Sequence, residues 1–196
     1  MTNEAAMPNN ALARRAMIDS QLRPQGVTDR AVLAAMASVP REDHVPAEAR
    51  DFAYFDRAIP VDGGVMLPPT PLALLLNAAA PEPGQKALVV GSAPAYAAAL
   101  LRAIGLVTTE ANASAPIDSA AGPFDLILIE GAIADLPASL SDALAPGGRL
   151  VTGLVENGVT RLAIGRKAGG GVVMTSFADS EIAMLAAFTR PPAFTF

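Results

Sequence analysis

The residues able to do chemistry gather at one turn and at one acid beyond it. An apolar run, Ala87–Val90, leads into Gly91-Ser92-Ala93-Pro94-Ala95-Tyr96. A glycine turn between a central strand and a helix lets the backbone approach a ligand closely. Glu110 follows Gly91 by 19 residues, at the end of a second strand. An acid there can take ribose hydroxyls, although acids at strand ends are also common solvated loop residues. Gly91, Ser92 and Glu110 are therefore the candidate ligand-binding residues. Ala93 and Ala95 each add a Cβ to the turn, and Pro94 fixes φ and lacks an N–H. Alanines forced into left-handed geometry would cost roughly 1–2 kcal/mol each, and about 1.4 kcal/mol is a tenfold loss of affinity. The plainer reading of the turn is a helix N-terminus with Pro94 near its first residue.

Other constellations are poor. The chain has one histidine, His44, and no cysteine, which leaves little from which to build a metal site. It carries no G-x-x-x-x-G-K-[ST] loop and no G-x-S-x-G elbow with a partner histidine. His44 and the pair Glu42 and Asp43 read as local structure and a solvated face. Asp125, at the start of an apolar strand, reads as a partner for nearby backbone N–H groups. No residue emerges as catalytic.

Composition narrows the classes further. At 196 residues and 52% hydrophobic, the chain can bury a substantial single core, and one domain over 1–196 is expected. A charged fraction of 17% argues against disorder, and a net charge of −5 against a nucleic-acid surface. No run of about 18 apolar residues is long enough to span a membrane. The N-terminus lacks the regions of a signal peptide, and zero cysteine suits a reducing cytoplasm.

The elements that must position the turn fall into two regions. Residues 1–80 read as mainly helical, after a polar start over 1–10. A helix over 11–23 should bury Ile18 and Leu22 with Ala11 on the same side. Thr28 or Asp29 should cap a second helix whose inner face is Val32, Ala35, Met36 and Val39, ended by Pro40. Residues 41–69 read as irregular. Thr70-Pro71 reads as N-cap and first residue of an apolar helix. Residues 81–196 alternate strand and helix, with strands at Ala87–Val90, Leu106–Thr109, Phe124–Ile129 and Leu150–Val155. A helix over 95–104 closes at Gly105, and another runs from Pro137 to near Pro146-Gly147-Gly148. Asn157-Gly158 is a strong hairpin signal before Val159–Ile164, Gly169–Gly171 turns into Val172–Phe177, and Ile182–Phe188 reads as a last strand.

Three segments resemble the protein-L-isoaspartate O-methyltransferase family. Residues 13–46 hold Met17-x-x-x-Gln21-Leu22, then Val39-Pro40-Arg41 and Val45-Pro46, followed by Tyr54-Phe55-Asp56. Residues 83–105 hold the turn, and residues 122–151 hold the third strand and its helix. The resemblance implies a Rossmann-like S-adenosylmethionine methyltransferase fold: a mostly parallel twisted sheet, helices on both faces, and an antiparallel C-terminal part. It implies S-adenosylmethionine as cofactor and a protein or peptide as partner, in a monomer or homodimer.

The chain departs from the family at three places. A loop resembling E-x-G-x-G-x-G-Y becomes Val89-Val90-Gly91-Ser92-Ala93-Pro94-Ala95-Tyr96. A motif resembling G-x-T-I-S-Q-P becomes Gly63-Gly64-Val65-Met66-Leu67-Pro68-Pro69, so Leu67 stands where the family has its substrate-facing serine. The nearest hydroxyl, on Thr70, should be engaged as a helix cap. Only the 12 residues 111–122 join the second and third strands, so one strand-helix unit is missing and the second strand should become a sheet edge. These departures predict impaired or lost cofactor binding and catalysis, a pseudoenzyme. The alternative is an active carboxyl methyltransferase that repairs isoaspartyl residues.

Overall fold

A computed structural model of the chain describes residues 10–116 and 121–189. Residues 1–9 of the polar start and 117–120 within the expected crossover lie outside these residues. Helix α1 (Asn10–Met17) runs into a π-turn over Ile18–Leu22, and α2 (Arg30–Ser38) follows. The π-turn adds a residue to the helical repeat and rotates the buried stripe. Met17, Ile18 and Leu22 are buried while Ala11 is exposed, which corrects the expected face. Asp29, not Thr28, caps α2, its carboxylate accepting from Ala31 N and Val32 N. Val32, Ala35 and Met36 then point inward as expected.

The stretch expected to be irregular holds two 3-10 turns and a small hairpin. Strands β1 (Ile59–Val61) and β2 (Gly64–Met66) pair antiparallel around Asp62-Gly63, with Gly63 at φ +84. Asp-Gly between short apolar runs is a recognised hairpin signal. Helix α3 (Pro69–Ala79) begins two residues earlier than expected, with Pro68 at its N-cap. Thr70 is not the cap. Asp56 reaches across to accept from Thr70 N at 2.9 Å, and Thr70 Oγ1 is buried without a partner.

Among the described residues the rest of the chain builds a six-stranded sheet. Strand β3 (Lys86–Gly91) leads to α4 (Ala95–Ile104), closed by Gly105 at φ +105, and to β4 (Val107–Asn112). Strand β5 (Phe124–Ile133) precedes α5 (Ala138–Ala143), which yields early to the long strand β6 (Leu144–Glu156). Strands β7 (Val159–Ala168) and β8 (Gly171–Asp179) complete the order β4-β3-β5-β6-β7-β8. The pairs from β4 to β6 are parallel and those from β6 to β8 antiparallel. Asn157 (φ +52) and Gly158 (φ +80) make the expected β6–β7 turn.

Period-two alternation divides the core. Ala87, Val89, Leu126 and Leu128 face α2, α3 and α4, whereas Leu88, Val90, Ile127 and Ile129 face α5 and the C-terminal segment. The apolar run Ile182–Phe188 does not form the expected last strand; it lies against the end of β5. It docks through a single bridge, Ala132 to Met184, and a 3-10 turn over Ala186–Phe188. Strand β4 stands at the sheet edge, as the short crossover predicts.

Candidate ligand site at the switch point

The sheet reverses its order beside β3, with β4 on one side and β5 on the other. In open α/β sheets the crevice beyond the strand ends at such a point is where ligands bind. Gly91 ends β3 there and is the register partner of Glu130 on β5. The site is built from what surrounds these two residues.

The turn after Gly91 is unstrained. Pro94 lies at φ −73, ψ −6 and starts α4 directly, and Ala93 and Ala95 avoid positive φ. The expected penalty for left-handed alanines therefore does not arise; the turn has a different shape. Ala113 N donates to Gly91 O at 2.9 Å, so the chain leaving β4 folds onto the turn. From above, the β1–β2 hairpin closes on Ser92. Val65 N donates to Ser92 Oγ at 3.2 Å, and a Cβ on Gly64 would stand 2.0 Å from that oxygen. Ser92 is thereby committed to holding the hairpin.

Glu130 fills the other side. A Cβ on Gly91 would meet Glu130 Cβ at 3.0 Å and Oε2 at 3.2 Å. Glu130 is 2% exposed, and neither carboxyl oxygen has a hydrogen-bond partner. Burial pushes its pKa up to about 8; the nearby Arg41 cation opposes this and Glu110 adds to it. Sequence reasoning passed over this residue. Its one signal was an acid directly after the apolar run Leu126–Ile129, at the C-terminal end of a strand beside the switch point.

Arg41 is the buried cation behind the site. Its Nε donates to Ala53 O at 2.7 Å and its Nη2 to Leu67 O at 2.5 Å, while Nη1 is unpaired. The guanidinium lies 5.0 Å from the centre of the Tyr96 ring. Burial draws the Arg41 pKa down and pushes the Tyr96 hydroxyl up to about 12. The Tyr96 hydroxyl is also without a partner, so the interior behind the turn is polar and incompletely paired.

Two clefts flank the turn. The larger, about 700 Å³, lies open before α4 and is lined by Asp43, His44, Glu48, Asp62 and residues 92–96. His44 sits 5.4 Å from the Tyr96 ring, and burial lowers its pKa. The smaller, about 250 Å³, lies between the hairpin, Glu130 and residues 181–187, and Leu67 lines it. Leu67 is 3% exposed and offers no hydroxyl. Glu110 lines neither cleft. It forms an ion pair with Arg102 at 2.7 Å on the outer edge of β4. The structure thus brings Gly91 and Ser92 to the switch point and turns Glu110 towards Arg102. Asp125, as expected, accepts from a backbone N–H, that of Lys86, at 2.8 Å. Among the described residues no group of three His, Asp or Glu side chains is placed to hold a metal ion, and no helix is long and apolar enough to cross a membrane.

The fold and the crevice define a doubly wound α/β protein with an open crevice at its switch point. The profile of the Protein-L-isoaspartate(D-aspartate) O-methyltransferase family matches residues 13–114. The protein-L-isoaspartate O-methyltransferase of Koribacter versatilis is 34% identical over 202 residues, covering 89% of this chain and 91% of that one. That of Methylorubrum extorquens is 34% identical over 176 residues, covering 76% and 77%. A Plasmodium falciparum protein described as a protein-L-isoaspartate O-methyltransferase, solved with S-adenosyl-L-homocysteine, superposes with a TM-score of 0.73 at 18% identity. It covers 92% of this chain and 99% of that one. The chain belongs to the protein-L-isoaspartate O-methyltransferase family.

Proposed function

We propose that this family member has impaired or lost S-adenosylmethionine binding and methyl transfer, and acts in the cytoplasm as a binding module for a protein or peptide. The observation that carries the reading is Glu130, whose carboxyl is buried against Gly91 in the crevice where this fold class seats ligands. The cleft beside Glu130, about 250 Å³, is below the roughly 300–1,000 Å³ of ordinary small-molecule sites, and the larger cleft of about 700 Å³ lies before α4, away from Glu130. Ser92 is occupied by the hairpin and Glu110 by Arg102, so two of the three candidate cofactor contacts have other partners. The residues present do not fit a nucleoside-bearing cofactor, and Leu67 supplies no hydroxyl to a reacting carboxyl group.

Calorimetric titration with S-adenosylmethionine and S-adenosylhomocysteine tests this. Binding weaker than about 100 μM is expected, and a micromolar dissociation constant would overturn the reading. The competing reading, an active isoaspartyl carboxyl methyltransferase, draws support from the 34% identity to the Koribacter versatilis relative over most of both chains. Methyl transfer in that reading needs positioning more than acid–base chemistry. Stoichiometric methyl-ester formation on an isoaspartyl peptide would establish it.

A further inference from the structure

We propose that the pocket closed by residues 181–187 binds a primary alkylammonium group, with Glu130 as its counter-charge. The inference rests on the reading that this pocket no longer seats the family's cofactor. Two unpaired oxygens on one fully buried carboxyl are costly unless something pairs them, and here they border a cavity. The charged residues lining that cavity are Glu130 and Glu181, and no Lys or Arg lines it. Arg41 does not satisfy the carboxyl: two of its nitrogens serve the Ala53 and Leu67 carbonyls, and it makes no hydrogen bond to Glu130. The remaining lining is largely apolar, including Val65, Leu67, Pro68 and Ile182, which suits an aliphatic stem. An ammonium donates several N–H bonds and carries the charge that both acids favour. A carboxylate ligand would instead oppose the ionisation of Glu130 and meet Glu181 as a like charge.

The charged groups that act on Glu130 are Arg41 from the turn after α2 and, electrostatically from the outer edge of β4, Glu110, while Glu181 from the C-terminal segment lines the same cavity. Burial keeps the Glu130 proton in place to about pH 8, whereas an alkylamine stays protonated to about pH 10. Binding must therefore release a proton near neutral pH and tighten as pH rises towards 8.

The test is calorimetric titration of the full chain with n-butylamine and, separately, with a short peptide carrying one lysine, at pH 6.5 and 8.5. S-adenosylhomocysteine is titrated in parallel. Binding of either amine that is tighter at pH 8.5, and weaker by about tenfold or more in Glu130→Gln, is the expected result. The peptide binding alone would identify a lysine side chain as the source, and n-butylamine binding would identify a free amine. Saturation by n-butanol as tight as by n-butylamine would overturn the proposal, since it would show an uncharged apolar site. No amine binding at about 10 mM to the wild-type chain would also overturn it, and so would equal binding to folded Glu130→Gln. Micromolar S-adenosylhomocysteine binding would instead remove the reading beneath it, so the two failures are distinguishable.

Discussion

Gly64 lies flat against Ser92, so close that a Cβ on the glycine would stand 2.0 Å from Ser92 Oγ and 2.1 Å from its Cβ. Strand β2 reaches the turn after β3 only because one partner has no side chain, and Val65 N then binds Ser92 Oγ. Gly64→Ala should therefore force the hairpin away and destabilise the chain by about 1–3 kcal/mol, as overpacking does. The clash is with a side chain, so adding Ser92→Gly should recover part of the loss. A double-mutant cycle by thermal unfolding checks this, and strictly additive losses would show that the two residues do not meet.

The buried carboxyl of Glu130 makes stability pH-dependent in a direction opposite to that of an ordinary paired acid. The folded protein keeps a proton that the unfolded chain releases above about 4.5, up to a pH of about 8. Stability should thus be fully present below 4.5 as far as this group is concerned, fall between 4.5 and about 8, and level off above. Each unit in that window is worth on the order of 1.4 kcal/mol, which makes the whole effect a few kcal/mol. Glu130→Gln should flatten the curve and raise the melting temperature at pH 8.5. An unchanged difference between pH 5 and pH 8.5 would refute the assignment.

Much of this arrangement was readable before the fold. The α2 cap was expected at Thr28 or Asp29 and falls on Asp29, Asn157-Gly158 marked the β6–β7 turn, and the 12-residue crossover left β4 at an edge. These features are local, or follow from chain length alone. Glu130 was not readable, because its burial depends on Arg41 and residues 181–187, each more than 40 residues away. Thr70 misled for the same reason: the group that serves its N–H is Asp56, delivered by tertiary structure. The β1–β2 hairpin is a different case, since Asp62-Gly63 carried its signal within the sequence.

Arg41 should be the most costly single charge to remove. Its guanidinium is fully buried, bonds two main-chain carbonyls and stacks near Tyr96. Arg41→Met keeps much of the volume but orphans both carbonyls, and should destabilise by about 3 kcal/mol or more. Arg41→Lys should not rescue it, because one ammonium cannot span two carbonyls as the planar fork does. Chemical denaturation of the three proteins decides this. A lysine variant as stable as the wild type would contradict it.

Leu67→Ser should not create methyl transfer to isoaspartyl peptides. The hydroxyl would sit where Leu67 is now 3% exposed, but Glu130 would still stand against Gly91 and Glu110 would still face Arg102. Removing the isobutyl group from the core should also lower stability by about 2–5 kcal/mol. Radiolabelled methyl incorporation above background in this variant would show that only the hydroxyl was lacking.

The last prediction concerns the open edge at β4. Val107 N donates to Gln85 O, so in a parallel pair Val107 and Thr109 turn their main-chain groups towards β3, and Thr108 and Glu110 turn theirs outward. Arg102 from α4 reaches over this edge, donating to Thr108 O at 3.2 Å while paired with Glu110. A charged side chain laid along an edge discourages another strand from pairing there. The Thr108 and Glu110 amides, which point away from β3 and meet no main-chain carbonyl among the described residues, should then exchange with solvent quickly at every protein concentration, with Val107 and Thr109 protected. Arg102→Ala uncovers the edge, and in that variant the Thr108 amide should become protected as concentration rises, through pairing of two copies about a two-fold axis. Protection of Thr108 in the dilute wild-type protein would show instead that another part of the chain covers the edge. Concentration-dependent protection in the wild type would show that Arg102 does not prevent self-association.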